Sequence, residues 1–190
     1  MASGYHLMTS TDEDETSELE QRLAYHRHMR KHLDELSLFV LFEAIEADLL
    51  DVEFARHLKK QMTEVTDLPR RHIHLRFEEV KTPAFQGFVD RLYALNMSPV
   101  LIWTELATTC GPMRIGSITD VNFDYGFDAN AIGRVMLTTI DGADRLILDW
   151  GEDDGGRRLL DIDIIGKQWV QAVGAPAAAT KPSQPKPAAT

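Results

Sequence analysis

Cys110 is the only cysteine in the 190-residue chain, so no intramolecular disulfide can form and a zinc site built on several thiolates is excluded. Positive charge is scarce as well. Twenty Lys and Arg face thirty Asp and Glu, a formal net charge of −10, whereas nucleic-acid binding rests largely on cationic side chains that neutralise phosphates. A stand-alone DNA or RNA binder is therefore disfavoured. The longest apolar run, Leu38 to Phe42, falls far short of the roughly 20 residues that span a bilayer. The N-terminus is acidic where a secretory signal would be basic and then apolar. These absences point to a soluble cytoplasmic protein without a membrane partner. Also missing are a glycine-rich phosphate loop, a dinucleotide fingerprint, a nucleophile elbow and a His-Glu-x-x-His zinc helix. No cofactor is implied.

At 44% hydrophobic and 26% charged, the chain has enough apolar material for one sizeable core. Its two ends do not. Residues 1–17 form an acidic stretch and residues 174–190 a Pro/Ala-rich one, and neither can bury enough surface to offset chain entropy. The expected organisation is a single domain over residues 18–173 with a disordered tail on each side.

On a helical wheel Leu19, Leu23, Met29, Leu33, Leu36 and Val40 share a stripe, which predicts an amphipathic helix. Asp51 is placed to cap a second helix that aligns Val52, Ala55, Leu58, Met62 and Val65. Between them, Leu38 to Leu50 is apolar nearly all round: a buried helical segment, or a bend. His72 to Val80 alternates like a half-buried strand, and Thr82-Pro83 has the form of an N-cap and first helical position for a helix reaching about Leu95.

From Pro99 onward the period is two. Val100–Leu106, Val121–Phe127, Val135–Ile140, Arg145–Trp150 and Leu159–Ile165 are strand-like, and the Asp141–Asp144 and Gly151–Gly156 connectors are short and rich in turn formers. The last three form an antiparallel meander. The fold class that follows is α+β, with N-terminal helices packed on a mainly antiparallel C-terminal sheet.

Few residues carry chemistry. His28 and His32, four apart on a helix, fall opposite the apolar stripe, so they belong to a solvated face, while His26 falls on the stripe as a core histidine. His72 and His74 share one strand face, but Arg70, Arg71 and Arg76 beside them oppose metal loading. Asp67, Glu79 and Lys81 have the residue types of a metal-dependent nuclease or phosphoesterase, in which carboxylates hold a cation and a lysine steadies the attacking water. The strand that would carry the first carboxylate is missing. Asp120 to Asp128 alternates oxygen ligands like a calcium loop, but Tyr125 and Ala131 occupy the places of its glycine and final carboxylate. Cys110, at a turn, has no histidine near it in sequence, so a nucleophilic role is disfavoured.

The acidic residues are the stronger signal. Between Asp120 and Asp163 eleven carboxylates face four arginines, a surplus that draws a basic protein surface at encounter. Over its last third the chain resembles small acidic bacterial immunity proteins, through Leu146-Ile147-Leu148-Asp149-Trp150, its acidic Gly-rich turn, and the run from Leu160 to Trp169. That resemblance implies a non-enzymatic cytoplasmic inhibitor that neutralises a basic toxin or nuclease domain by surface complementarity. The expected contacts are Asp120, Asp124, Asp128, Asp149, Asp153, Asp154, Asp161 and Asp163, with Trp150 or Tyr125 as aromatic anchors. Two alternatives stand beside it: the phosphoesterase built on Asp67, Glu79 and Lys81, and an adaptor that dimerises through Leu38 to Phe42.

Overall fold

A computed structural model describes residues 10–124 and 134–174. A six-stranded, wholly antiparallel sheet forms its centre, made of β1 (Arg70–Arg76), β2 (Val100–Trp103), β3 (Met113–Ile115), β4 (Arg134–Thr139), β5 (Arg145–Glu152) and β6 (Arg158–Ile165) in the order β1-β6-β5-β4-β2-β3. The helices are α1 (Ser10–Phe39), α2 (Val52–Glu64), α3 (Pro83–Leu95) and the short α4 (Ala107–Cys110). The α+β class and the β4-β5-β6 meander are as the alternation predicts. Residues 10–17, assigned by composition to a tail, are part of α1.

Two helix starts follow their capping residues. The Asp51 carboxylate accepts from the amides of Glu53 and Phe54 at 2.7 and 3.2 Å, and the Thr82 hydroxyl accepts from Phe85 at 3.3 Å with Pro83 in the first turn. Each cap satisfies amides that the helix itself leaves open.

One sheet face carries the main core. Leu36 and Phe39 of α1 and Phe85, Phe88, Val89 and Leu92 of α3 are buried in one cluster with Val100, Ile102, Val135, Leu137, Leu146, Leu148, Leu160, Ile162 and Ile164. The opposite face is covered only in part. Every residue of β2 is buried, so Leu101 and Trp103 need a second layer, and α2 supplies it through Ala55, Leu58 and Met62. The sheet is thus flanked on both sides, beyond the single helical layer expected.

Leu38 to Leu50 proves to be the bend. The Ser37 hydroxyl donates to the Leu33 carbonyl and accepts from the Ala44 amide at 2.9 Å, folding the chain back on the end of α1. A short 3-10 turn, Glu46–Asp48, is closed by the Ile45 amide donating to the Asp48 carboxylate at 3.1 Å. Leu38, Leu41, Phe42 and Ile45 stay exposed.

Three strand assignments need correction. Val100–Leu106 stops at Trp103, because the chain turns into α4, and β3 escaped notice at three residues. His72–Val80 gives way after Arg76 to a 3-10 turn, Phe77–Lys81, capped where the Arg76 amide donates to the Glu79 carboxylate at 2.8 Å. Over Val121–Asp124, the described part of Val121–Phe127, the chain makes one bridge, Val40 to Val121, and then turns. The burial alternation is nonetheless right, with Val121 and Phe123 inside and Asp124 outside.

Candidate functional site

The half of the second face left uncovered by α2 is built by β1, β6 and β5. Strand register decides what meets there: His72 opposes Asp163, His74 opposes Asp161, and Asp161 in turn opposes Asp149. Because side chains alternate between faces along a strand, His72-Ile73-His74 and Asp161-Ile162-Asp163 each send their central isoleucine to the core side and their polar pair outward. Ile147, Leu159 and Ile165 lie half-buried among the polar groups of this face.

Every carboxylate of this row has an arginine or a histidine beside it. The Arg70 guanidinium donates to both oxygens of Asp163, and His72 Nδ1 lies 3.1 Å from Asp163 Oδ1. His74 Nδ1 lies 2.7 Å and His72 Nε2 3.3 Å from Asp161 Oδ1. Arg134 donates to Asp149 at 2.7 Å. The Arg70 hydrogen bonds hold the Asp163 carboxyl below its ordinary range, with a further pull from His72. Asp149 likewise raises the Arg134 guanidinium.

The expected bare acidic face is therefore corrected in its electrostatics. Asp149, Asp161 and Asp163 do share a surface, but the protein's own arginines and histidines face them, so the patch is of mixed charge. The other expected contacts scatter. Asp153 is tied to Arg157 within its own turn and held low chiefly by the Arg157 backbone amide. Asp124 pairs with Lys81 at 2.9 Å, and Asp120 caps the 3-10 turn Ile118–Asp120 by accepting from the Ser117 amide. Asp154 is exposed in the β5-β6 turn. Asp128 and Tyr125 lie outside the described residues. Trp150 cannot serve as a contact anchor, since its ring is buried on the core face, 5.8 Å from Phe39.

The phosphoesterase constellation is not assembled. Asp67 precedes β1 and Glu79 follows it, so a seven-residue strand of about 20 Å separates them. Glu79 is used as a cap and Lys81 is paired with Asp124. Of the helical histidines, His32 is fully buried and His26 exposed, the reverse of the wheel. Cys110 is also buried, and its burial pushes the thiol up, away from nucleophilic character.

A cleft of about 740 Å³ opens where α2 meets the β4-β5 turn, lined by Met62, Leu68, Asn96, Ile140, Arg145 and Lys167 among others. Polar groups at its wall serve the fold. Arg145 donates to the carbonyls of Gly142 and Met62, and the buried Asp144 carboxylate accepts from the amides of Gln168 and Trp169.

The meeting of two histidines with two aspartates escaped sequence reasoning because each strand was read alone. Its signal was the matched pattern His-x-His and Asp-x-Asp, which become neighbours only once the pairing of the first strand with the last is known. No helix among the described residues is long and apolar enough to cross a membrane. Neither protein-family models, nor curated proteins, nor solved structures give a significant match to this chain.

Proposed function

We propose that the protein is a non-enzymatic protein-binding protein of the inhibitor or immunity type, which receives a basic partner on the open β1-β6-β5 face. One observation carries this reading: Asp149, Asp161 and Asp163 stand side by side on a sheet surface that no helix or strand among the described residues covers, and their arginine counter-ions are themselves exposed. Arg70 is 60% and Arg134 72% accessible. Exposed ion pairs of this kind are worth about 0–1 kcal/mol, so a partner's arginine or lysine can take over a carboxylate at little loss. Ile147, Leu159 and Ile165 then supply apolar area for the centre of the contact. The net charge of −10 favours encounter with a basic surface even though the face itself is mixed.

The test is the affinity for basic toxin or nuclease domains, beginning with any encoded beside this chain. Charge reversal at Asp149 or Asp161 lowers that affinity by roughly 100-fold, in the range of a hot-spot contact, and Asp153→Lys leaves it nearly unchanged. Affinity that is indifferent to the two reversals, or to salt, defeats the proposal.

A second reading, self-association through residues 38–42, is favoured by the exposure of Leu41 and Phe42, 73% and 45%, in a loop that its hydrogen bonds hold in place. Sedimentation of the chain beside Leu41→Asp separates the two. A monomer at all concentrations excludes self-association.

A further inference from the structure

The geometry points to a binding site for one late transition-metal dication, such as Zn²⁺, formed by His72 Nε2, His74 Nδ1 and an Asp161 oxygen. His72, His74 and Asp161 each offer one ligand atom within 4.8 Å of the others. In a tetrahedral zinc site with arms of about 2.0–2.1 Å, neighbouring ligands stand roughly 3.3 Å apart. His72 Nε2 and Asp161 Oδ1 are at 3.3 Å, and His74 Nδ1, which donates to the same oxygen at 2.7 Å, ligates in its other tautomer, with the proton moved to Nε2 and the ring turned slightly outward. Two imidazoles with a carboxylate suit zinc, nickel or copper over magnesium or calcium, which demand oxygen ligands.

An independent feature concerns the proton on His72. Its Nδ1 lies 3.1 Å from a carboxylate oxygen of Asp163, and a carboxylate only accepts, so the tautomer able to take a metal keeps its proton on Nδ1. In that tautomer Nε2, 3.3 Å from Asp161 Oδ1, carries the lone pair that ligates. Asp163, itself fixed by Arg70, thereby holds the position of the outer carboxylate that orients and polarises a metal-ligating histidine.

The arginines that oppose metal loading in the sequence are differently disposed in space. Arg70 is engaged by Asp163. Arg71 donates to the Arg70 carbonyl, and alternation sends its side chain to the opposite face from the histidines. Arg76 shares the face of His74 but is exposed, about 7 Å further along the strand, where water screens it. With three protein ligands on an open surface, water completes the coordination shell. The site is independent of the partner reading, because zinc binding is measured on the isolated chain.

Isothermal titration of the untagged chain with ZnCl₂, and Co²⁺ substitution read by visible absorption, test the inference. One ion binds per chain, Co²⁺ gives the intense bands of a tetrahedral site, and the ring resonances of His72 and His74 shift on titration. His74→Ala and Asp161→Asn each weaken binding at least tenfold, while His57→Gln leaves it unchanged. His57 and His74 are exposed and Asp161 is partly so, and circular dichroism verifies that each variant is folded. Absence of saturable binding below millimolar Zn²⁺, or binding that survives both site substitutions, overturns the assignment.

Discussion

His32 sits where a charge cannot be accommodated, and acid should expose that. Its Nε2 lies 2.8 Å from the Gly111 carbonyl, which only accepts, so Nε2 carries the proton. Thr104 Oγ1 already accepts from the Leu106 amide at 3.3 Å, and its hydroxyl is therefore free to donate to His32 Nδ1, 3.2 Å away. The neutral imidazole is satisfied at both nitrogens, and burial lowers its affinity for a second proton below the ordinary value of 6.5. The unfolded chain thus binds that proton at a pH where the folded chain does not. Stability is complete above the unfolded value and declines as pH falls from there toward the folded one, at up to about 1.4 kcal/mol per unit. Between about pH 7.5 and 5.5 this single group can remove at most about 1.4 kcal/mol. Glu35, whose carboxyl burial raises, acts with the opposite sign, and Asp163, held low, loses its share only in stronger acid. Urea denaturation of the wild type and of His32→Gln across this range isolates the His32 contribution as a difference. The variant is less stable at neutral pH by about 1–3 kcal/mol, as for a lost buried hydrogen bond, but its pH dependence is flatter. Identical pH slopes for the two proteins would refute the reasoning.

Other substitutions probe the rest of the structure. Gly111 has a φ of 95°, and a Cβ there would overlap the Leu50 carbonyl oxygen. Gly111→Ala is expected to destabilise by roughly 3 kcal/mol or more, from strain combined with a clash, read as a fall in the urea midpoint. Trp150→Ala, in the core, should remove about 3–5 kcal/mol and, by unfolding the face behind it, weaken any partner only indirectly. Arg134→Ala is expected to leave the urea midpoint close to that of the wild type, as befits an exposed ion pair. A larger loss would mean that the Arg134 to Asp149 pair is integral to the sheet and not exchangeable with a partner.

What the sequence made legible was local. Asp51 and Thr82-Pro83 announce two helix starts because capping is chemistry within four residues, and the meander shows itself because β4, β5 and β6 are joined by short turns. The errors arise where a distant segment decides. His32 is polar and sits off the leucine stripe, yet α1 is gripped from its side by α4 and Gly111, 79 positions away. His26, on the stripe, meets no such neighbour and stays in water. Asp149, Asp161 and Asp163 do share one outer surface, but the pairing of β1 with β6, which brings Arg70 and the two histidines against them, is fixed by a register nearly 90 residues apart. Composition counts charges; it does not say which of them are already matched.

The same register explains why this face remains a surface at all. On β2, full burial on both sides draws α2 across the sheet, whereas the outward positions of β6 are aspartates alternating with a core-directed isoleucine. Covering Asp161 and Asp163 with a helix would strip water from two carboxylates, and even well-paired buried ions seldom recover that loss. Leaving them exposed avoids the penalty, but it leaves Ile147, Leu159 and Ile165 half in water. A ligand able to satisfy both requirements brings positive charge together with apolar area, as a basic protein surface does, or brings a compact dication to the histidine end alone. Asp161→Asn discriminates between these occupants. It removes a metal ligand outright but leaves the apolar contacts in place, so zinc binding should collapse while the affinity for a basic partner falls only in part.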